Sequence, residues 1–134
     1  MIMWPRLDGL RTMELGMPGE QRDRLTALVL AGTKRATAGL LTDYTADGEP
    51  PEHVGERMAL VDSAGTRIAT VEVTAVLVTP FGRVSWEFAE AEGEGFTSVE
   101  HWRQVHAGFW SRHSGTEVGD NAPVVCVWFR LIGG

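Results

Sequence analysis

The sequence predicts an α+β fold, a small curved β-sheet or partly open barrel with helices over one end. Three observations carry this. From Arg67 to Val78 the chain alternates, with Ile68, Thr70, Glu72, Thr74, Val76 and Val78 on one face and Ala69, Val71, Val73, Ala75 and Leu77 on the other. A strand of that length needs a bend or barrel curvature. The last apolar run, Pro123 to Ile132, is largely apolar on both faces, so it belongs in the middle of a sheet. Strands and helices do not alternate regularly, which weighs against a parallel doubly wound sheet.

The elements follow in order. Residues 1–19 are turn-rich, with Pro5, Gly9, Gly16, Pro18 and Gly19, yet Trp4, Leu7, Leu10, Met13, Leu15 and Met17 offer apolar surface. That stretch reads as an ordered arm packed on one domain covering 1–134. The first helix runs from Glu20 to about Ala31. Glu20 and Asp23 suit the positive end of its dipole, Leu25, Leu28 and Val29 form its inner face, and Gly32 caps it. A short apolar segment spans Ala38 to Leu41, and Asp47-Gly48-Glu49-Pro50-Pro51 is a loop. Met58 to Val61 is a short strand, and Asp62-Ser63-Ala64-Gly65 turns it back into the long one, which Pro80 stops. Ser85 caps a helix from Trp86 to about Glu92. Thr97 and Glu100 have the capping-box spacing for a second helix, to about Arg112. Its residues Val99, Trp102, Val105, His106, Phe109 and Trp110 recur as one buried stripe.

Composition narrows the functions. A hydrophobic content of 43% and a charged content of 22% fit a globular chain rather than a disordered one. No apolar run is long enough to span a bilayer, and the start lacks the basic and apolar regions of a secretory signal. Cys126 is the sole cysteine and lies in an apolar run. It reads as a small buried side chain, and a cytoplasmic location is expected. The net charge of -6 is uneven, because residues 40–100 alone carry -9. Duplex nucleic acid is therefore not held by general phosphate attraction. Any RNA contact is local, around Arg22, Arg24, Lys34, Arg35, Arg103 or Arg112, and a small, mostly neutral ligand fits equally well.

Two stretches carry candidate chemistry. Gly32-Thr33-Lys34-Arg35-Ala36-Thr37-Ala38 puts an amine and a hydroxyl at a chain reversal. Lys34 and Thr37 share a face if the backbone there is helical or tightly turned. The plainer reading is a helix end with cations near its negative pole. The ladder Glu90, Glu92, Glu94 lies beside Gly93 and Gly95, where a partly buried carboxylate suits acid or base work and solvated acids are the alternative. The spacing of His101, His106 and His113 is not that of a helical zinc pair, and His106 reads as a packed, hydrogen-bonded histidine. There is no nucleophile elbow, phosphate loop or paired-cysteine site, so no metal or cofactor is expected. Trp102, Trp110 and Trp128 suit the core, whereas Trp4 and Trp86 suit exposed contacts.

The ordered set Leu-Val-Leu-Ala-Gly-Thr-Lys-Arg-Ala-Thr-Ala at 28–38, Tyr44, Val-Gly-Glu at 54–56, Thr-Pro-Phe at 79–81, Phe-Ala-Glu-Ala-Glu-Gly-Glu-Gly at 88–95 and Trp-Arg-x-x-His at 102–106 resembles the ASCH domains. The resemblance spans about residues 20–132 and departs at Phe96, where many relatives carry an acid. It implies a PUA-like fold, a small curved β-barrel with flanking helices. One branch of these proteins removes the acetyl group from N4-acetylcytidine with a lysine and a threonine in Gly-x-Lys-x-x-Thr and a later glutamate. Another branch cleaves single-stranded RNA, and others are presumed RNA binders.

On the first implication Lys34, Thr37 and Glu92 are the catalytic set, with Glu94 second to Glu92. Thr37 attacks the amide carbonyl or positions a water. Lys34 takes the proton as a neutral amine or, as a charged lysine, stabilises the oxyanion, and Glu92 protonates the leaving amine. Arg35, Tyr44, Glu94, Trp86 and Arg103 are the substrate-binding candidates. The expected partner is a modified nucleoside or single-stranded RNA. The alternatives are an RNA-binding module with or without ribonuclease activity, and a non-catalytic ligand-binding or interaction domain.

Overall fold

A computed structural model describes residues 4–133, so the first three residues of the expected arm lie outside the described residues. The fold is α+β. Six strands, β1 Arg6–Leu7, β2 Leu10–Met13, β3 Ala36–Leu40, β4 Arg57–Val61, β5 Arg67–Pro80 and β6 Pro123–Gly133, form one mixed sheet in the order β1-β2-β4-β5-β6-β3. Four α-helices accompany it: α1 Glu20–Leu30, α2 Leu41–Ala46, α3 Trp86–Ala91 and α4 Val99–Ser114. All neighbours are antiparallel except β2 and β4. Among the described residues no helix is long and apolar enough to cross a membrane.

The alternation of β6 explains why it is apolar on both faces. Val125, Val127 and Phe129 enter a core beneath α1 with Leu25, Val29 and Leu60, while Val124 and Cys126 enter a second core with Phe88, Trp102 and Trp110. The central strand thus serves two cores through its two-residue period.

Several expectations are corrected. The sheet does not close into a barrel. Register shifts near Val71 and Val73 accompany its curvature, but β1 and β3 remain as edges with no ladder between them. Residues of β2 and β3 instead face one another across a hollow, at the place where closure would have occurred. The turn-rich arm contributes two strands, because Leu10–Met13 finds a parallel partner in β4. The apolar segment near Ala38 is strand β3, followed at once by α2, and β5 runs through Pro80. The cap of α4 is Ser98, whose hydroxyl accepts from His101 N–H at 3.0 Å, while Thr97 N–H donates to His101 Nδ1 and Glu100 pairs with Arg103. Ser98→Ala therefore costs about 1 kcal/mol in chemical denaturation and Thr97→Ala less than half of that; equal losses would contradict this cap. Val105, expected inside the stripe, is exposed.

Candidate functional site

The site begins where α1 stops. Gly32 N–H donates to Val29 O and Thr33 N–H to Leu28 O, both at 3.0 Å, with Gly32 at φ 78. This Schellman arrangement satisfies the last helical carbonyls and turns the chain back on itself. It delivers Lys34 inward, only 2% exposed, while Arg35 stays outside. Arg35 serves through its backbone: its N–H donates to Ala91 O at 2.8 Å and its carbonyl accepts from Phe129 N–H at 3.0 Å. The chain then enters β3, where Thr37 pairs with Val127 of β6. The expected helical or turned geometry between Lys34 and Thr37 is thus replaced by entry into an edge strand.

The acidic end of α3 meets this loop. Ser85 caps α3 by accepting from Phe88 N–H, Glu92 follows its last turn, and Gly93 turns the chain with φ 68. Lys34 Nζ donates to Glu94 Oε2 at 2.7 Å and to Ala36 O at 2.8 Å, and lies 3.4 Å from Glu92 O and 3.8 Å from Glu92 Oε1. Its direct carboxylate partner is therefore Glu94. With these acceptors around one nitrogen and no donor facing it, the geometry is that of an ammonium. This favours a charged lysine over a neutral base.

Glu92 is 1% exposed and is held from its other side by α4. Trp102 Nε1–H donates to its Oε2 at 2.5 Å, and His106 Nε2 lies 3.2 Å from the same oxygen. His106 Nδ1 sits 2.9 Å from Trp102 O, a carbonyl that can only accept, so Nδ1 carries a hydrogen. Nε2 then either donates to the carboxylate as part of an imidazolium or accepts a proton from a carboxyl. Burial pushes the Glu92 carboxyl up, but the charge of Lys34 and the hydrogen bond and charge of His106 outweigh it, and the net direction is below the ordinary value. Burial, with the charge of Glu92, pushes the Cys126 thiol up to about 12, so this cysteine is a packed side chain.

Lys34, Thr37, Glu92, Glu94 and His106 all line one cavity of about 90 Å³, with Val105 at its rim. A second hollow of about 260 Å³ adjoins it across Thr37 and Ala38 and includes Tyr44. Trp86 is exposed on α3 and lines neither hollow. Arg103 donates to the carbonyls of Gly82 and Val84 at 3.0 and 3.2 Å, which ties α4 to the turn after β5 rather than to a ligand. Arg22 is likewise spent on the carbonyls of Leu15 and Gly16. Among the described residues no group of three or more His, Cys, Asp or Glu is placed to hold a metal ion.

Sequence reasoning missed the pairing of His106 and Trp102 with Glu92. Their i, i+4 spacing on α4 was the available signal, since it puts both rings on one face; they stack with centroids 4.1 Å apart. Phe96 packs against His106 with ring centroids 5.6 Å apart.

A family model described as the ASCH domain matches residues 12–133. No curated protein matches the chain. Among solved structures, the ASCH domain from Lactobacillus crispatus JV V101 is similar at 30% identity, with a TM-score of 0.74, over 84% of this chain and 73% of that one. Protein EF3133 from Enterococcus faecalis V583 is similar in fold, with a TM-score of 0.77 at 24% identity, over 99% of this chain and 77% of that one.

Proposed function

We propose, from the premise that this chain belongs to the ASCH domain family, that it is an RNA- or nucleoside-directed protein and hydrolyses an acylated cytidine-type amide. One observation carries the reading. An ammonium and two carboxylates from segments 58 to 60 residues apart line a single small cavity with a hydroxyl, at the motif positions that the resemblance assigns to catalysis.

The chemistry follows from that set. The substrate carbonyl lies toward Lys34, whose positive charge stabilises the oxyanion formed on attack. Thr37 holds the attacking water. Glu92 receives one proton of that water and passes it to the leaving amine, so the C–N bond breaks, a C–O bond forms, and the products are a carboxylic acid and the free amino base. His106 is a positioning residue: its Nε2, 3.2 Å from Oε2, fixes the carboxylate of Glu92. Trp102 directs a second N–H at the same oxygen and limits how the group can turn.

The test is incubation of the protein with N4-acetylcytidine and, separately, a short single-stranded RNA, read by mass. Loss of an acetyl group from the nucleoside is the expected result. Glu92→Gln and Thr37→Ala each lower kcat/KM by at least about a hundredfold. An intact nucleoside alongside a shortened RNA would replace this reading with the ribonuclease one, and two unchanged substrates would remove hydrolysis of either kind.

A further inference from the structure

The larger hollow is not used by the reaction above. It shares Leu15, Thr37 and Ala38 with the smaller cavity but does not include Lys34, and its composition is specific. One wall is aromatic: Trp4 and Tyr44 lie with ring centroids 4.6 Å apart. Trp4 is fixed there, because its indole N–H donates to Asp47 and its backbone N–H to Glu49, each at 2.8 Å. The Tyr44 ring rests against β3 at Gly39, where an added Cβ would come within 3.1 Å of it.

The polar groups are equally defined. Tyr44 donates its hydroxyl to Glu52 Oε1 at 2.9 Å. Burial and the charge of Glu52 push the phenol up, so it keeps that hydrogen. Glu52 is 8% exposed and lines the hollow, and Tyr44 takes only one of its two oxygens. The edge of β3 adds two more groups. Arg35 O accepts from Phe129 N–H, and the ladder pairs Thr37 with Val127. Antiparallel alternation then turns the N–H and C=O of Ala38 away from β6, to the open edge of β3, where Ala38 lines this hollow and its smaller neighbour. Neither has a partner among the described residues. No lysine or arginine lines this hollow, whereas Glu14, Asp43 and Glu52 do, so a phosphate is unwelcome in it.

We propose that this hollow is a second subsite that takes an amino-bearing nucleobase, the neighbour along the strand of the unit held at Lys34. The inference rests on the nucleoside-directed reading above. The ring lies against Trp4, the exocyclic amine donates to Glu52, and the peptide edge of Ala38 meets the adjacent ring positions. Uracil is disfavoured because its one Watson–Crick-edge N–H lies between two carbonyl oxygens, which the carboxylate repels. The phosphates remain outside, in solvent.

The test is a titration of isotopically labelled protein with adenosine, cytidine and uridine, followed by amide and indole NMR resonances. Adenosine and cytidine shift the Ala38 amide and the Trp4 indole, and bind about tenfold more tightly than uridine. Glu52→Gln keeps an acceptor for Tyr44 and brings the three ligands within about twofold of one another. Trp4→Leu weakens all three together, read at Ala38, and leaves their ratio. Equal affinity for uridine, an unchanged ratio in Glu52→Gln, or shifts confined to Lys34 and His106 would overturn the subsite. The same samples are assayed for deacetylation. Hydrolysis without base-selective shifts removes the subsite alone, and base-selective shifts without hydrolysis remove the amidohydrolase reading alone.

Discussion

Replacing Lys34 with alanine lowers stability at neutral pH by about 3 kcal/mol, and the loss shrinks as the solution is acidified. The cause is the carboxylate left behind. Glu92 is fully buried, and in the native protein its carboxyl sits below the ordinary value, because Lys34 and His106 outweigh its burial. A depressed folded value contributes stability that is present above the unfolded value of about 4.3 and is lost as pH falls through the folded one. Without Lys34 only His106 and Trp102 oppose the burial of this carboxyl, so its folded value rises from the native one. The stability it contributes at neutral pH shrinks, and the variant loses less than the native protein when both are taken from neutral pH to below about pH 4. Urea denaturation at both pH values measures this directly, and Lys34→Met repeats it with the side-chain volume kept. Parallel pH profiles for native and variant proteins would contradict the pairing. Hydrolysis falls by at least about a hundredfold in both variants, because the charge that faces the oxyanion is gone.

Gly93→Ala is the second large effect. Gly93 has φ 68, and a Cβ there would stand 2.2 Å from Thr33 O and 2.9 Å from Lys34 Cα. These are backbone atoms, so no side-chain rotation relieves the clash. The acidic turn must move off the loop that carries Lys34, which breaks the short contact between Lys34 and Glu94. The expected cost is about 3 kcal/mol, together with loss of hydrolysis. Gly95→Ala is the control. Gly95 also has a positive φ, 86, but an added Cβ there meets nothing within 4 Å. It bears only the cost of the left-handed backbone, about 1 kcal/mol, and keeps most of the activity. Similar losses in the two variants would mean that conformational strain, and not the docking of turn on loop, governs this corner.

The reach of sequence reasoning differs from element to element. α1, β5, β6 and α4 were legible because each is long enough to repeat its own period, and α3 because Ser85 and the glycines after Glu92 bracket it. β3 was not, since Ala-Thr-Ala-Gly-Leu has little strand preference and is extended only because β6 lies beside it. β2 has four residues, and its partner β4 comes more than forty residues later. In the capping region of α4 the pattern pointed one residue early, because Thr97 and Ser98 can both accept and only the packing of Trp102 and Trp110 fixes the register of the turn.

The candidate site divides the same way. Lys34, Thr37, Glu92 and Glu94 could be named from their motifs. Which carboxylate meets the amine could not, and neither could the roles of His106, Trp102 or Glu52. Arg35, Trp86 and Arg103 were sensible choices by residue type, yet they line neither hollow.

By itself, then, the sequence determined the family, the α+β class, the two-sided burial of the last strand and the residue types available for chemistry. These follow from short-range periodicity and from motifs read within a few positions. The tertiary structure alone decided that the sheet stays open, that a hollow occupies the gap between β2 and β3 with a smaller cavity beside it, and that Lys34 is a buried cation between carboxylates. Those outcomes depend on groups some sixty residues apart meeting in a place from which water is largely excluded, where the charge of one sets the proton affinity of the next.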